Sequence, residues 1–80
     1  MTQKILDILQ GIRPEFDFTK SQDFIQDGYL DSFDLVTLVA DIEKEYGIKI
    51  KGVDIVPENF SSLDTIKNLL GKAGVSTDEI

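Results

Sequence analysis

Apolar residues at helical intervals between Asp31 and Gly47 are the feature that most constrains how this chain folds. They are Leu35, Val36, Leu38, Val39, Ile42 and Tyr46, and the charged residues of the run fall mostly elsewhere. This spacing predicts an amphipathic helix. Asp31 is placed to cap its start, and Asp34 follows at capping-box spacing. Gly47 comes directly after the last apolar residue, as is typical of a helix end.

The segments on either side predict two further helices. The first runs from about Thr2 to Gly11 or Ile12, and Pro14 ends it. Its apolar positions are Ile5, Ile8, Leu9 and Ile12. A final helix is capped by Ser61, with Asp64 at capping-box spacing. Its apolar positions are Leu63, Ile66, Leu69, Leu70 and Ala73.

The connections are predicted to be irregular. Between Arg13 and Leu30 no periodicity is evident, and a loop of this length needs apolar side chains that hold it in place. The candidates are Phe16, Phe18, Phe24, Ile25, Tyr29 and Leu30, and Gly28 supplies backbone freedom for the turn into the next helix. Ile48–Ile50 alternates like a strand but has no partner strand, so an extended loop is predicted. Pro57 opens a short helical turn through Phe60.

Together these elements predict an all-α fold, a small bundle of about three to four helices with a long first loop. The 80 residues form one domain, 1–80, whose residues 75–80 are expected to be a frayed tail. No apolar run has membrane-spanning length, and the N-terminus lacks a signal-peptide pattern, so a cytoplasmic monomer is expected.

Composition excludes several kinds of function. The chain has no cysteine and no histidine, so it lacks disulfides and the usual transition-metal ligands. Its formal net charge of −7 argues against nucleic acid as a partner. The same charge favours partners with basic surfaces, although it also serves solubility alone.

Ser32 is the candidate functional residue, because it is predicted to occupy the first position of the central helix, near the surface. No histidine is present to activate its hydroxyl, so the chain's own nucleophilic catalysis is disfavoured. The helix dipole and the unpaired N–H groups there favour an attached phosphate. Serine also opens many helices without further function, and the Asp31-Ser32 dipeptide alone does not separate the two interpretations.

The stretch from Asp27 to Val36 resembles the phosphopantetheine attachment region of the acyl and peptidyl carrier protein family. Length, acidity, the order of helices and the Pro57–Phe60 turn extend the resemblance over nearly the whole chain. It implies that a phosphopantetheinyl transferase joins 4′-phosphopantetheine from coenzyme A to Ser32, and that Asp31 supports the transferase and its metal ion. Phe33 stands where the family more often has leucine or methionine.

Details of the sequence favour stand-alone carriers of the D-alanyl carrier protein type. Thr37 replaces the usual glutamate of fatty acid carriers, and Lys44 interrupts an acidic pair, so the sequence departs from that type. The Asp31-Ser32-Phe33 opening and the segment from Ile55 to Phe60 resemble stand-alone carriers that serve adenylate-forming ligases. The resemblance then implies loading by an adenylate-forming acyl or aminoacyl ligase and use by downstream acyl-transfer or synthase enzymes. The main alternative is an acyl carrier of fatty acid or polyketide synthesis. A second alternative is a small acidic protein–protein adaptor without a prosthetic group.

Partner enzymes are expected to dock on the exposed face beside Ser32, with an apolar centre and an acidic rim. The residues assigned to this face are Phe33, Asp34, Val36 and Thr37, with Asp31 adding charge. Whether Val36 is exposed or belongs to the core is open at this point.

A calcium site is the alternative interpretation of some of these residues. Asp23, Asp27, Gly28 and Asp34 match positions of a calcium-binding loop. Ile25, however, occupies a position that needs a ligand oxygen, and Asp34 stands where glutamate is usual. No metal site is therefore predicted.

Overall fold

The computed structural model describes residues 3–76 and has three α-helices. They are α1 (Gln3–Ile12), α2 (Ser32–Tyr46) and α3 (Leu63–Lys72). Three short 3₁₀ turns lie in the connections, at Phe18–Lys20, Gly52–Asp54 and Pro57–Phe60. No β-strand occurs within residues 3–76, so the predicted all-α fold is confirmed.

The core lies where the three helices meet, and α1 packs mainly on α2. Nine large side chains are fully buried, each contributing about 1.5–3 kcal/mol by the usual area relation. They are Ile5, Leu9, Phe18, Phe24, Leu38, Ile42, Phe60, Ile66 and Leu70. Each helix thus turns its predicted apolar positions inward, except that Val36 of α2 is exposed.

Both ends of α2 are capped as the sequence predicts. Asp31 has extended backbone angles, and its Oδ1 accepts from the Asp34 N–H at 2.9 Å. Asp34 Oδ2 accepts in return from the Asp31 N–H at 3.0 Å, which completes a capping box. Gly47 ends the helix in the left-handed region, at φ 65°, and its N–H donates to the Glu43 carbonyl.

Aromatic contacts hold the long first loop against the bundle. The Phe16 and Tyr29 rings stack with centroids 4.4 Å apart, and Phe18 meets Phe24 edge-on at 5.0 Å. The Phe24 carbonyl accepts from the N–H groups of Tyr29 and Leu30. Gly28 supplies the turn between them with a φ of 77°. The predicted role of these aromatic residues is therefore confirmed.

The segment after α2 is an extended loop, as predicted, and a side chain of α2 holds it. Glu43 Oε2 accepts from the Ile50 N–H at 2.8 Å. Ile50 is buried and Ile48 is half-buried, so the alternating apolar side chains turn inward.

The predicted cap of the last helix is wrong by one residue. Ser62, not Ser61, caps α3, and its capping-box partner is Thr65 rather than Asp64. The reason is that Ser61 still belongs to the preceding turn, with αR angles, and its carbonyl accepts from the Phe24 N–H at 2.6 Å.

The predicted frayed tail does not begin at Val75. This side chain is buried, and its N–H donates to the Leu70 carbonyl at 3.0 Å. The rest of the predicted tail from residue 77 onward, and the predicted start of the first helix at Thr2, lie outside the described residues.

Candidate functional site

Ser32 is the first residue of α2, and it is exposed. The extended backbone of Asp31 turns the chain into the helix there, so Ser32 lies at its positive end. The Asp34 N–H is already taken by the Asp31 carboxylate. The predicted first-turn position of Ser32 is confirmed.

The Asp31 carboxylate beside Ser32 is held in its ionised form. The hydrogen bond from the Asp34 backbone N–H lowers the pKa of Asp31 most, and Arg13 adds a smaller effect in the same direction. The Asp31 carboxylate therefore both caps α2 and places a negative charge beside Ser32.

Asp34 does not lie on the exposed face to which the sequence analysis assigned it. Its side chain is only 12% exposed, since the capping box turns it toward the Asp31 N–H and the Arg13 guanidinium covers it. The expectation that Asp34 contributes to an exposed acidic rim is wrong.

Arg13 is the residue of this site that sequence reasoning missed. Its Nε donates to Asp34 Oδ2 at 2.9 Å, and its Nη2 lies 3.3 Å from Asp31 Oδ2. Its Nη1 lies 3.4 Å from Glu15. The hydrogen bond to Asp34 raises the pKa of Arg13 further above its ordinary value. The available signal was that Arg13 is the chain's only arginine and directly follows the first helix.

Exposed apolar side chains follow Ser32 along α2. Phe33 is 83% exposed and Val36 is 68% exposed, so the open question about Val36 resolves in favour of the surface. Thr37 is also exposed, and its hydroxyl donates to the Phe33 carbonyl. Since these positions are three and four residues apart, they share one face of the helix. Apolar surface of this kind is typical of an interaction site.

The acidic residues of the rejected calcium loop serve separate local hydrogen bonds. Asp23 Oδ1 accepts from the N–H groups of Ile25 and Gln26, and Asp27 Oδ2 accepts from the Ser21 hydroxyl. The Asp34 carboxylate accepts a hydrogen bond from Arg13 Nε. Within the part of the chain that the structure describes, no three histidine, cysteine or acidic residues are grouped to hold a metal ion.

Ser32 thus stands exposed at the start of α2, the longest of the three helices within residues 3–76. A family model described as the phosphopantetheine attachment site matches residues 3–71. The chain therefore belongs to the phosphopantetheine-binding carrier family. Searches of curated proteins and of solved structures find no match to it.

Membership in this family defines the protein's general role. Its cofactor is 4′-phosphopantetheine, covalently bound, and such domains are carriers that a phosphopantetheinyl transferase modifies and that work with synthase enzymes. No helix within residues 3–76 meets the length and hydropathy needed to span a bilayer.

The residues around Ser32 fit this group. A phosphodiester needs an accessible hydroxyl, and a helix N-terminus is a favourable place for its charge. The nearby carboxylates of Asp31 and Asp34 are partly offset by Arg13, which also pairs with Glu15. When bound, the group supplies a thiol, which a chain without cysteine lacks.

Proposed function

We propose that Ser32 is the attachment site and that the protein carries an acyl or aminoacyl group as a thioester on the attached arm. The observation that carries this proposal is the exposed position of Ser32 at the start of α2, directly after the capping Asp31, in a chain of this family. Of the remaining serines, Ser62 caps α3 with its hydroxyl, and Ser21 donates to Asp27.

In the loading reaction, Ser32 Oγ gives up its proton and forms a bond to phosphorus, while the phosphoanhydride bond of coenzyme A breaks and 3′,5′-ADP leaves. We assign the base to the transferase, because the chain has no histidine and the Asp31 and Asp34 carboxylates already accept hydrogen bonds from backbone N–H groups. Asp31 is ionised and adjacent, which suits a role beside the transferase's metal ion.

Intact mass after incubation with coenzyme A and a broad-specificity transferase tests the site. The wild type is expected to gain the mass of one phosphopantetheine, and Ser32→Ala none. Ser61→Ala, the matched control, changes a serine next to another helix start and should load normally. Modification that persists in Ser32→Ala would refute the assignment, and a wild type that takes up no arm would favour the adaptor alternative.

Loading by an adenylate-forming ligase of the D-alanyl type is the finer part of the proposal. It is supported by Phe33 after the serine and by Thr37 in place of an acidic residue, both exposed. The arm-bearing protein is therefore expected to accept D-alanine from such a ligase with ATP. Acceptance of malonyl groups from a malonyl transferase, with no acceptance of amino acids, would instead support fatty acid or polyketide synthesis.

The exposed residues Phe33, Val36 and Thr37 are proposed as the docking face for these partners, because a partner active site must approach Ser32. Phe33→Ala should weaken ligase loading mostly through faster dissociation of the complex. Val53→Ala is the matched control, since Val53 is equally exposed at 83% but lies on the turn after α2. Equal effects of the two substitutions, or none, would place the docking face elsewhere.

A further inference from the structure

The attachment site combines negative charges that should oppose one another. Asp31 directly precedes Ser32, and Asp34 lies in the same first turn of α2. A phosphodiester on Ser32 adds another negative charge within a few ångströms. Like charges at such distances repel, and the repulsion grows where protein shields them from water.

One cation lies against both carboxylates. Among residues 3–76, Arg13 is the only basic side chain paired with Asp31 or Asp34, at 3.3 and 2.9 Å. Its planar guanidinium presents several donors in a fixed arrangement, so it can serve both carboxylates at once. A lysine ammonium is a single point charge and cannot reproduce this geometry.

The position of Arg13 is set by α1. Its N–H donates to the Leu9 carbonyl at 2.9 Å, which continues the hydrogen bonding of the helix, and Leu9 is fully buried. The side chain is 34% exposed, so the pair with the buried Asp34 is partly shielded from salt. The cation is thereby anchored to one helix and directed at the start of another.

We propose that Arg13 is a positioning residue of the attachment site, which holds the Asp31 and Asp34 carboxylates and offsets part of their charge so that the first turn of α2 stays intact when Ser32 carries a phosphodiester. This role rests on the proposed function of Ser32. It differs from a general stabilising contact, because it requires Arg13 to contribute more to the stability of the arm-bearing protein than to that of the unmodified protein.

The test compares unfolding midpoints of the unmodified and arm-bearing proteins. Arg13→Gln should lower the midpoint of the arm-bearing form by about 2–5 °C more than that of the unmodified form, and this extra loss should shrink at high salt. Arg13→Lys should recover only part of the extra loss, since the charge remains but the planar guanidinium that serves both carboxylates does not. Lys20→Gln, the matched control, removes one charge from the same loop and should shift both forms equally.

A second comparison avoids the transferase. Ser32→Glu places a carboxylate where the phosphodiester would be, and Ser32→Gln is its neutral counterpart. Arg13→Gln should lower the midpoint of the Glu variant more than that of the Gln variant.

The role of Arg13 would be overturned if Arg13→Gln lowered the midpoint equally in the unmodified and arm-bearing forms, and equally in the Ser32→Glu and Ser32→Gln variants. If the wild type still loads normally at Ser32, that result leaves the assignment of the attachment site unchanged. A wild type that takes up no arm would instead overturn the proposed function, and this role with it.

Discussion

Asp34 offers the sharpest test of how the start of α2 is built. Its carboxylate accepts from the Asp31 N–H at 3.0 Å and from Arg13 Nε at 2.9 Å, and the side chain is only 12% exposed. Asp34→Ala removes both hydrogen bonds. The bond from the Asp31 N–H contributes about 1.5 kcal/mol, the pair with the partly exposed Arg13 about 0.5 kcal/mol, and alanine returns about 0.5 kcal/mol through its higher helix propensity.

The free energy of unfolding should therefore fall by about 1.5 kcal/mol in Asp34→Ala, a large share of the roughly 4–12 kcal/mol typical of a chain this long. The midpoint should drop by about 6–12 °C. Asp34→Asn keeps an oxygen for the Asp31 N–H and should lose about half as much. Chemical denaturation followed by circular dichroism measures the free energy of unfolding of all three proteins, and thermal unfolding measures their midpoints.

Asp41→Ala is the matched control, because Asp41 is a half-buried aspartate of the same helix outside the capping box. It should change the free energy of unfolding by less than about 0.5 kcal/mol. Equal losses for Asp34→Ala and Asp41→Ala would refute the role of the capping box and the Arg13 pair. Charge reversal at Asp34 is expected to act through the same loss of stability, rather than by slowing association as for an exposed charge.

Three further perturbations test other parts of the fold. Gly47→Ala should cost about 1 kcal/mol in unfolding by denaturant, because Gly47 has a φ of 65° that side chains disfavour, and an unchanged midpoint would contradict this. Phe60→Ala should lower the free energy of unfolding by about 3–5 kcal/mol or prevent folding, since the ring is fully buried. A variant that keeps the wild-type near-ultraviolet circular dichroism spectrum and the wild-type unfolding midpoint would contradict this packing. The pKa of Asp31 is lowered in the folded state, so the stability its carboxylate contributes is present above about pH 4 and lost as the pH falls through that lower pKa. Asp31→Asn should thus flatten the fall in unfolding free energy below about pH 4, and identical acid profiles would contradict the assignment.

Features that depend on neighbouring residues could be predicted from the sequence. The reciprocal cap of Asp31 and Asp34 spans three positions, and the end of α2 needs only a glycine after the last apolar residue. Ser32 at the start of α2 follows from the same local pattern. Such contacts form within a single turn, so residue type and spacing are enough to specify them.

Contacts between distant segments could not be predicted in this way. Arg13 reaches Asp31 and Asp34 only because α1 packs on α2, and no pattern joins residues 18 and 21 positions apart. The exposure of Val36 likewise depends on which side of α2 the other helices cover.

The same reason explains the errors at the boundaries. Ser61 and Ser62 are equally good caps by residue type, and the bond from the Phe24 N–H to the Ser61 carbonyl decides between them. Val75 is buried where the chain turns back at Gly74, which has a φ of 97°, and its N–H donates to the Leu70 carbonyl. The sequence by itself determined the helices, both caps of α2 and the serine at the start of α2, because those rest on local geometry. Only the tertiary structure decided which charges meet there, because that depends on how the helices pack.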